Sequence, residues 1–315
     1  ASLMVPCPYF KDAAKFAASH PELCIGVHIT LVAEWARYKW KPILPHQEVP
    51  SLCDDEGWML PKPEPMKLFA TRAAVAEAKA EARAQIKFAI ESGMRPSHMD
   101  MHCGTMLFSP EGCKAALEVA EEFSVPMVLP VAVREVYSIP SAAPVLWVDH
   151  FQCCEGAGLD LAAVGSKLAS GLTYVILHPA EDDDELRRIM DADEPYGARH
   201  RGADYEGLQK QPLLATDIVV RSVRKCLSEQ AAAWGAKGLG SSQMIDVGDE
   251  VQVKATGEQG KVTMTNGHAH KVCNKWYLAE ELHTQGNGLE ELQRSSNASS
   301  SVRRRVSQVI RECET

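Results

Sequence analysis

Short runs of apolar and β-branched residues recur through the first 220 residues, at 2–7, 24–31, 97–102, 126–131, 145–149 and 173–178, with helical spacing between them. Each run is four to eight residues long, the length of a buried strand rather than a helix. The clearest helix lies between about Ala70 and Ser92. There Val75, Ala78, Ala82, Ile86 and Ala89 return at steps of three and four and form one stripe, while Glu77, Lys79, Glu81, Arg83 and Lys87 fall mostly outside it. Gly93 and Pro96 end it. Strand and helix therefore alternate, the pattern of a parallel α/β fold. Residues 33–66 break the alternation. They are rich in Trp and Pro and carry no period, so they form a long loop after the second strand.

Three of the strand patterns end in histidine. His28 lies near the carboxyl end of Ile25-Gly26-Val27-His28-Ile29-Thr30-Leu31, and His178 stops the run Leu172–Leu177 at a His-Pro pair where proline ends ladder pairing. The segment Ser97-His98-Met99-Asp100-Met101-His102-Cys103-Gly104 places His98, Asp100 and His102 at alternate positions. If that segment is a regular strand, all three point to one face. A single buried histidine is most often a core residue bonded to a carbonyl. Three at strand ends carry more weight, because parallel α/β folds assemble sites at the carboxyl ends of several strands.

The segments Ile25–Leu31, Glu34-Trp35, Tyr38-Lys39-Trp40, Pro96–Thr105 and His178-Pro179 resemble, in order and spacing, the YdjC-like carbohydrate deacetylases. The resemblance runs from about residue 2 to about residue 220. It implies a (β/α) barrel of the polysaccharide-deacetylase type that uses a divalent metal, Mg or Zn, to remove an acetyl group from an N-acetylated sugar. By the family pattern His28 and His102 are metal ligands. Asp100, on the face of His102 if the strand is regular, orients it or ligates directly. His178 is the candidate to serve the leaving amine or the oxyanion, the alternative being a strand-end histidine bonded to a carbonyl. Arg201 and Asp204 match an Arg-x-x-Asp pattern that the family carries near the substrate and could equally form an internal salt bridge. His98 is structural or faces the substrate, and Trp35 packs under its loop or stacks on a sugar ring. The family's third ligand lies in an Asp-Asp-Phe-Gly-like motif after the first strand. No such motif occurs in the 315 residues, and the opening Ala1–Pro8 resembles the family's second strand. The expectation is a chain lacking that strand and its aspartate, and with it two readings: a deacetylase, or a catalytically inactive or partial member that binds carbohydrate or acts as a scaffold.

Composition narrows this further. A formal charge of −9 argues against general nucleic-acid affinity, and no apolar run approaches the ~20 residues that cross a bilayer. Ten cysteines without CxxC pairing read as reduced thiols of a cytoplasmic protein. The expected layout is a barrel over 1–225, a linker over 226–244, a small SH3-like β module over 245–283 and a disordered tail over 284–315. The module suggests a protein partner, and oligomerisation stays open.

Overall fold

The structure, a computed structural model, describes residues 1–35, 37–61, 72–139, 144–153, 170–190, 196–210, 222–235, 250–252, 259–265, 269–272 and 275–278. Strands β1 (Ser2–Leu3), β2 (Gly26–Ile29), β3 (Met99–Met101), β4 (Met127–Pro130) and β5 (Val145–Val148) pair in sequence order, all parallel. Helices α1 (Phe10–Ser19), α2 (Arg72–Glu91), α3 (Pro110–Phe123) and α4 (Val131–Tyr137) connect them. Crossovers of one hand between consecutive neighbours bring successive helices to the same face. The side chains agree: Phe10 of α1 meets Phe88 of α2 at 5.8 Å, and Lys79 and Arg83 of α2 pair with Glu118 and Glu122 of α3.

Period-two alternation separates the two faces of the sheet. Val27, Ile29, Met99, Met127, Leu129, Val145 and Trp147 join the main core with Ala78, Ala82, Ile86 and Ala89 of α2, the stripe foreseen from sequence. On the other face of β4 and β5, Val128, Leu146 and Val148 pack with Cys226 and Leu227 of helix α7 (Val223–Gly235). On that same face of β2 and β3 stand Gly26, His28 and Asp100. Helix α2 departs from the sequence reading at one point: Glu81, placed outside the stripe, is fully buried beside Gln85.

The strands are shorter than their apolar runs. The first stops at Leu3 because Pro6 and Pro8 follow, and the third stops at Met101, so His102 opens a 3-10 turn (His102–Phe108) instead of ending a strand. An additional strand, β6 (His150–Cys153), pairs in parallel with β7 (Thr173–Ile176). The described strands up to Ile176 thus form a five-stranded sheet and a separate parallel pair, not one closed barrel ladder. The cause lies at the outer edge of β5. There the Gln230 carboxamide accepts from the Trp147 N–H (3.2 Å) and donates to the Trp147 carbonyl (2.5 Å), filling the place of a neighbouring strand. Asp149 and His150 then turn their N–H groups to the Leu172 carbonyl.

After β7, the acidic run starts a helix as its charges favour: Asp183 caps α5 (Asp184–Ile189) by accepting from Leu186 N. Helix α6 (Ala198–Lys210) follows. Just past the boundary expected at 225, Cys226 and Leu227 of α7 are buried against β4 and β5. Beyond it, β8 (Glu250–Gln252), β9 (Gln259–Thr265), β10 (Ala269–Val272) and β11 (Lys275–Leu278) pair as an antiparallel meander. The expected tail over 284–315 lies outside the described residues. Among the described residues Cys7, Cys24, Cys53, Cys103, Cys113 and Cys226 are in no disulfide, and no helix is long and apolar enough to cross a membrane.

Candidate active site

The parallel register sets His28 directly beside Asp100. Their side chains share a face, and His28 Nδ1 stands 2.7 Å from Asp100 Oδ1. Asp100 Oδ2 accepts two further bonds, from Ser2 Oγ at 2.9 Å and Tyr174 Oη at 3.0 Å. Three strands therefore converge on one carboxylate. Burial alone would raise its pKa, but the charge and hydrogen bond of His28, with His98 and Ser2, outweigh it and hold Asp100 well below the usual carboxylate range. For His28 burial pulls down, and the Asp100 charge and bond together with Glu34 raise the pKa overall. Burial first, and then the Asp100 charge, push the Tyr174 phenol far up, so it stays a donor.

The structure sets Asp100 against His28 and not against His102, the partner expected from the sequence. Beyond the strand end His102 no longer alternates with Asp100, and its ring lies 5.3 Å from that of His28 in an edge-to-face arrangement. Trp40 packs on His102 at 6.1 Å, and Cys103 Sγ stands 3.4 Å from His102 Nε2. Cys103 holds its place in a left-handed conformation (φ 52°).

His98 is not substrate-facing. It is 1% exposed, with Ser97 Oγ at 2.9 Å from Nδ1 and Ser2 Oγ at 3.1 Å from Nε2. Its ring lies over Gly26, where a Cβ would stand 2.6 Å from the His98 carbonyl oxygen and 2.7 Å from the ring. Burial, assisted by the N-terminal amine and His28 and opposed by Asp100, lowers its pKa from 6.5 to about 4. It is a neutral support beneath Asp100.

The remaining predicted residues form a second group. His178 follows β7, its N–H donating to Asp204 Oδ2 at 3.0 Å and its ring 5.2 Å from Tyr196. Arg201 donates from Nε to the Tyr196 carbonyl at 2.8 Å, pairs with Glu34 at 3.4 Å, and lies over the Trp35 ring at 5.7 Å. Asp204 is therefore engaged by backbone, and one face of Trp35 is covered by a guanidinium rather than open to a sugar. Glu34 joins the two groups, since its charge acts on His28 and its carboxylate takes Arg201. Of the other loop aromatics, Trp40 is buried and donates to the Val32 carbonyl, while Trp58 carries Lys41 over its ring.

Sequence reasoning missed Ser2, Tyr174 and the role of Glu34. Tyr174 had a signal, a hydroxyl-bearing ring inside an apolar strand; Ser2 had none, because its place depends on the register Ser2↔Gly26.

A metal of the kind the resemblance implies needs three protein ligands in a catalytic site. The His28–His102 pair suits two of them, since the Asp100 bond to Nδ1 leaves Nε2 of His28 for a ligand. Among the described residues no group of three His, Cys, Asp or Glu side chains is placed to hold a metal. The donor set fits a metal in part.

The family model described as YdjC-like protein matches residues 1–216. The chain belongs to the YdjC-like family. Among its relatives are proteins named carbohydrate deacetylase: one from Enterococcus faecalis is 36% identical over 121 residues, 38% of this chain and 43% of that protein. Another, from Thermoanaerobacter pseudethanolicus, is 29% identical over 193 residues, 60% of this chain and 72% of that protein. The match to the Enterococcus relative thus spans less than half of its length. A solved structure of an E. faecalis V583 protein assigned to cellobiose-phosphate cleavage matches with a TM-score of 0.52 at 24% identity, over 72% of this chain and 82% of the other. That likeness bears on the fold, and it supports the YdjC-like α/β architecture around the parallel sheet.

Proposed function

We propose that this YdjC-like chain carries the deacetylase site of a hydrolase that removes an acetyl group from an N-acetylated sugar. The observation that carries the reading is the His28–Asp100 pair beside His102, at the carboxyl ends of adjacent parallel strands. The names of the relatives support the substrate class.

In this reading His28 and His102 hold a divalent metal, Zn or Mg. Bound there, such an ion would polarise the amide carbonyl and acidify water. Asp100 fixes the His28 ring and its tautomer through Nδ1–H, and Ser2 and Tyr174 fix Asp100. Water adds its oxygen to the acetyl carbon and gives up a proton; His178, held through its backbone by Asp204, supplies a proton to the sugar nitrogen as the C–N bond breaks and the acetyl group leaves as acetate. Arg201, braced by Glu34 and Trp35, forms the wall facing the sugar.

The incomplete donor set favours a second reading, a carbohydrate-binding member without catalysis. One experiment separates them. Acetate release from N-acetylglucosamine oligomers is measured with added Zn²⁺ or Mg²⁺, alongside metal and sugar titrations. The deacetylase reading expects metal-dependent acetate release that His28→Ala and His102→Ala abolish. Sugar binding with neither metal binding nor acetate sinks it in favour of the second.

A further inference from the structure

Two residues behind the sheet are buried, polar and unused by the mechanism. Gln85 of α2 is fully enclosed, and its carboxamide takes both backbone groups of Thr30: Oε1 accepts the N–H at 3.0 Å and Nε2 donates to the carbonyl at 2.6 Å. A single side chain thus stands in for a pairing strand just where β2 has ended. Thr30 in turn donates its hydroxyl to the carbonyl of His28 at 2.8 Å. The second amide hydrogen direction of Gln85 reaches Glu81 Oε1 at 2.8 Å. Glu81 accepts from Ile43 N at 2.8 Å and Leu44 N at 2.9 Å, on the loop that bears Trp40, the residue packed on His102.

The two histidines stand on chain segments that share no ladder beyond Met101. His28 is held within β2 by its pairing with Asp100, whereas His102 lies past the end of β3 and opens a turn, so their separation is not set by the sheet alone. We infer that Glu81 and Gln85 are positioning residues that lock the His28 strand end and the Trp40 loop to one helix and thereby hold the spacing of the His28–His102 pair. The inference rests on the proposed site and adds to it two residues with no contact to substrate. It has a physical basis: a carboxamide satisfying two buried backbone groups leaves both orphaned when removed, and the segment must shift to regain partners.

The molecule supplies its own control. Gln230 makes the same paired bonds to Trp147 at the edge of β5, away from the histidines. The test compares Gln85→Met and Gln230→Met in the full chain, well below both melting temperatures. Imidazole resonances of His28 and His102 are recorded without metal, and affinity is then measured with Co²⁺ as the probe. Gln85→Met should move both imidazole signals and weaken Co²⁺ binding ~10-fold, the size expected when support of a ligand is lost. Gln230→Met should lower stability and leave both readouts at wild-type values. Unmoved imidazole signals in Gln85→Met, or equal movement in both variants, overturn the inference. Absence of Co²⁺ binding by wild type instead counts against the metal reading, and the imidazole signals still decide the positioning role. If Gln85→Met does not fold, Glu81→Gln, which keeps the size and removes one acceptor, carries the same comparison.

Discussion

His98 makes the stability of this protein sensitive to mild acid. Its ring is shut between Ser97 and Ser2 above Gly26, and its pKa falls from 6.5 to about 4 on folding, chiefly through burial. A lowered imidazole pKa means that between those values the unfolded chain binds a proton that the native chain refuses. The stability present above pH 6.5 is therefore lost as pH falls toward 4. The full interval corresponds to about 3 kcal/mol, and about 2 kcal/mol of it should be gone by about pH 5. His28 acts in the opposite window. Its folded pKa is raised, so its contribution is complete below 6.5 and declines as pH rises through the folded value. Together they place maximum stability near the ordinary imidazole pKa. Buried Glu81, whose pKa burial raises against the bonds from Ile43, Leu44 and Gln85, counteracts His98 in acid, so the variant comparison is the measurement that isolates the ring. Urea denaturation of wild type and His98→Gln between about pH 7 and about pH 4.5 provides it. Glutamine can still bond both serines but does not titrate. Wild type should lose about 2 kcal/mol more than the variant by about pH 5. Parallel stability curves for the two proteins would refute the reasoning.

Gly26→Ala should cost about 3 kcal/mol or prevent folding, because the added methyl meets backbone oxygen and an enclosed ring; urea midpoints within error of wild type would show that the ring is free to move. Tyr174→Phe removes one of three donors to an ionised carboxylate and should lower stability by ~2 kcal/mol, read from thermal melts, with the His28–Asp100 bond retained. Arg201→Lys cannot reach Glu34 and the Tyr196 carbonyl from one planar group or cover Trp35 as a guanidinium does. It should cost ~2 kcal/mol and raise the Trp35 contribution to fluorescence quenching by acrylamide; unchanged melting and quenching would remove Arg201 from the wall.

How far the sequence could be read differs from element to element for physical reasons. Helix α2 was legible because Ala78, Ala82, Ile86 and Ala89 meet a hydrophobic layer, and that need writes a period into the chain. Glu81 was misread for the same cause: periodicity assumes that a charged residue faces water, and here backbone N–H groups of a distant loop replace the water. The expected strand end at His102 fell one residue too far, because a strand pattern does not reveal where pairing stops.

By itself the sequence determined the alternation of strand and helix, the stripe that binds α2 to the sheet, the histidines that gather at strand ends and the family to which the chain belongs. These are local or periodic properties, and burial imposes them on neighbouring residues. The tertiary structure alone decided that Asp100 serves His28 and not His102, that His98 is sealed by Ser2 and Gly26, that Gln230 ends the sheet, and that Glu81 and Gln85 stand behind the site. Each of those facts depends on register between strands or on contacts between residues 37 to 98 positions apart. Hydrogen bonds are directional and short, so a displacement of one residue in register would exchange every partner named.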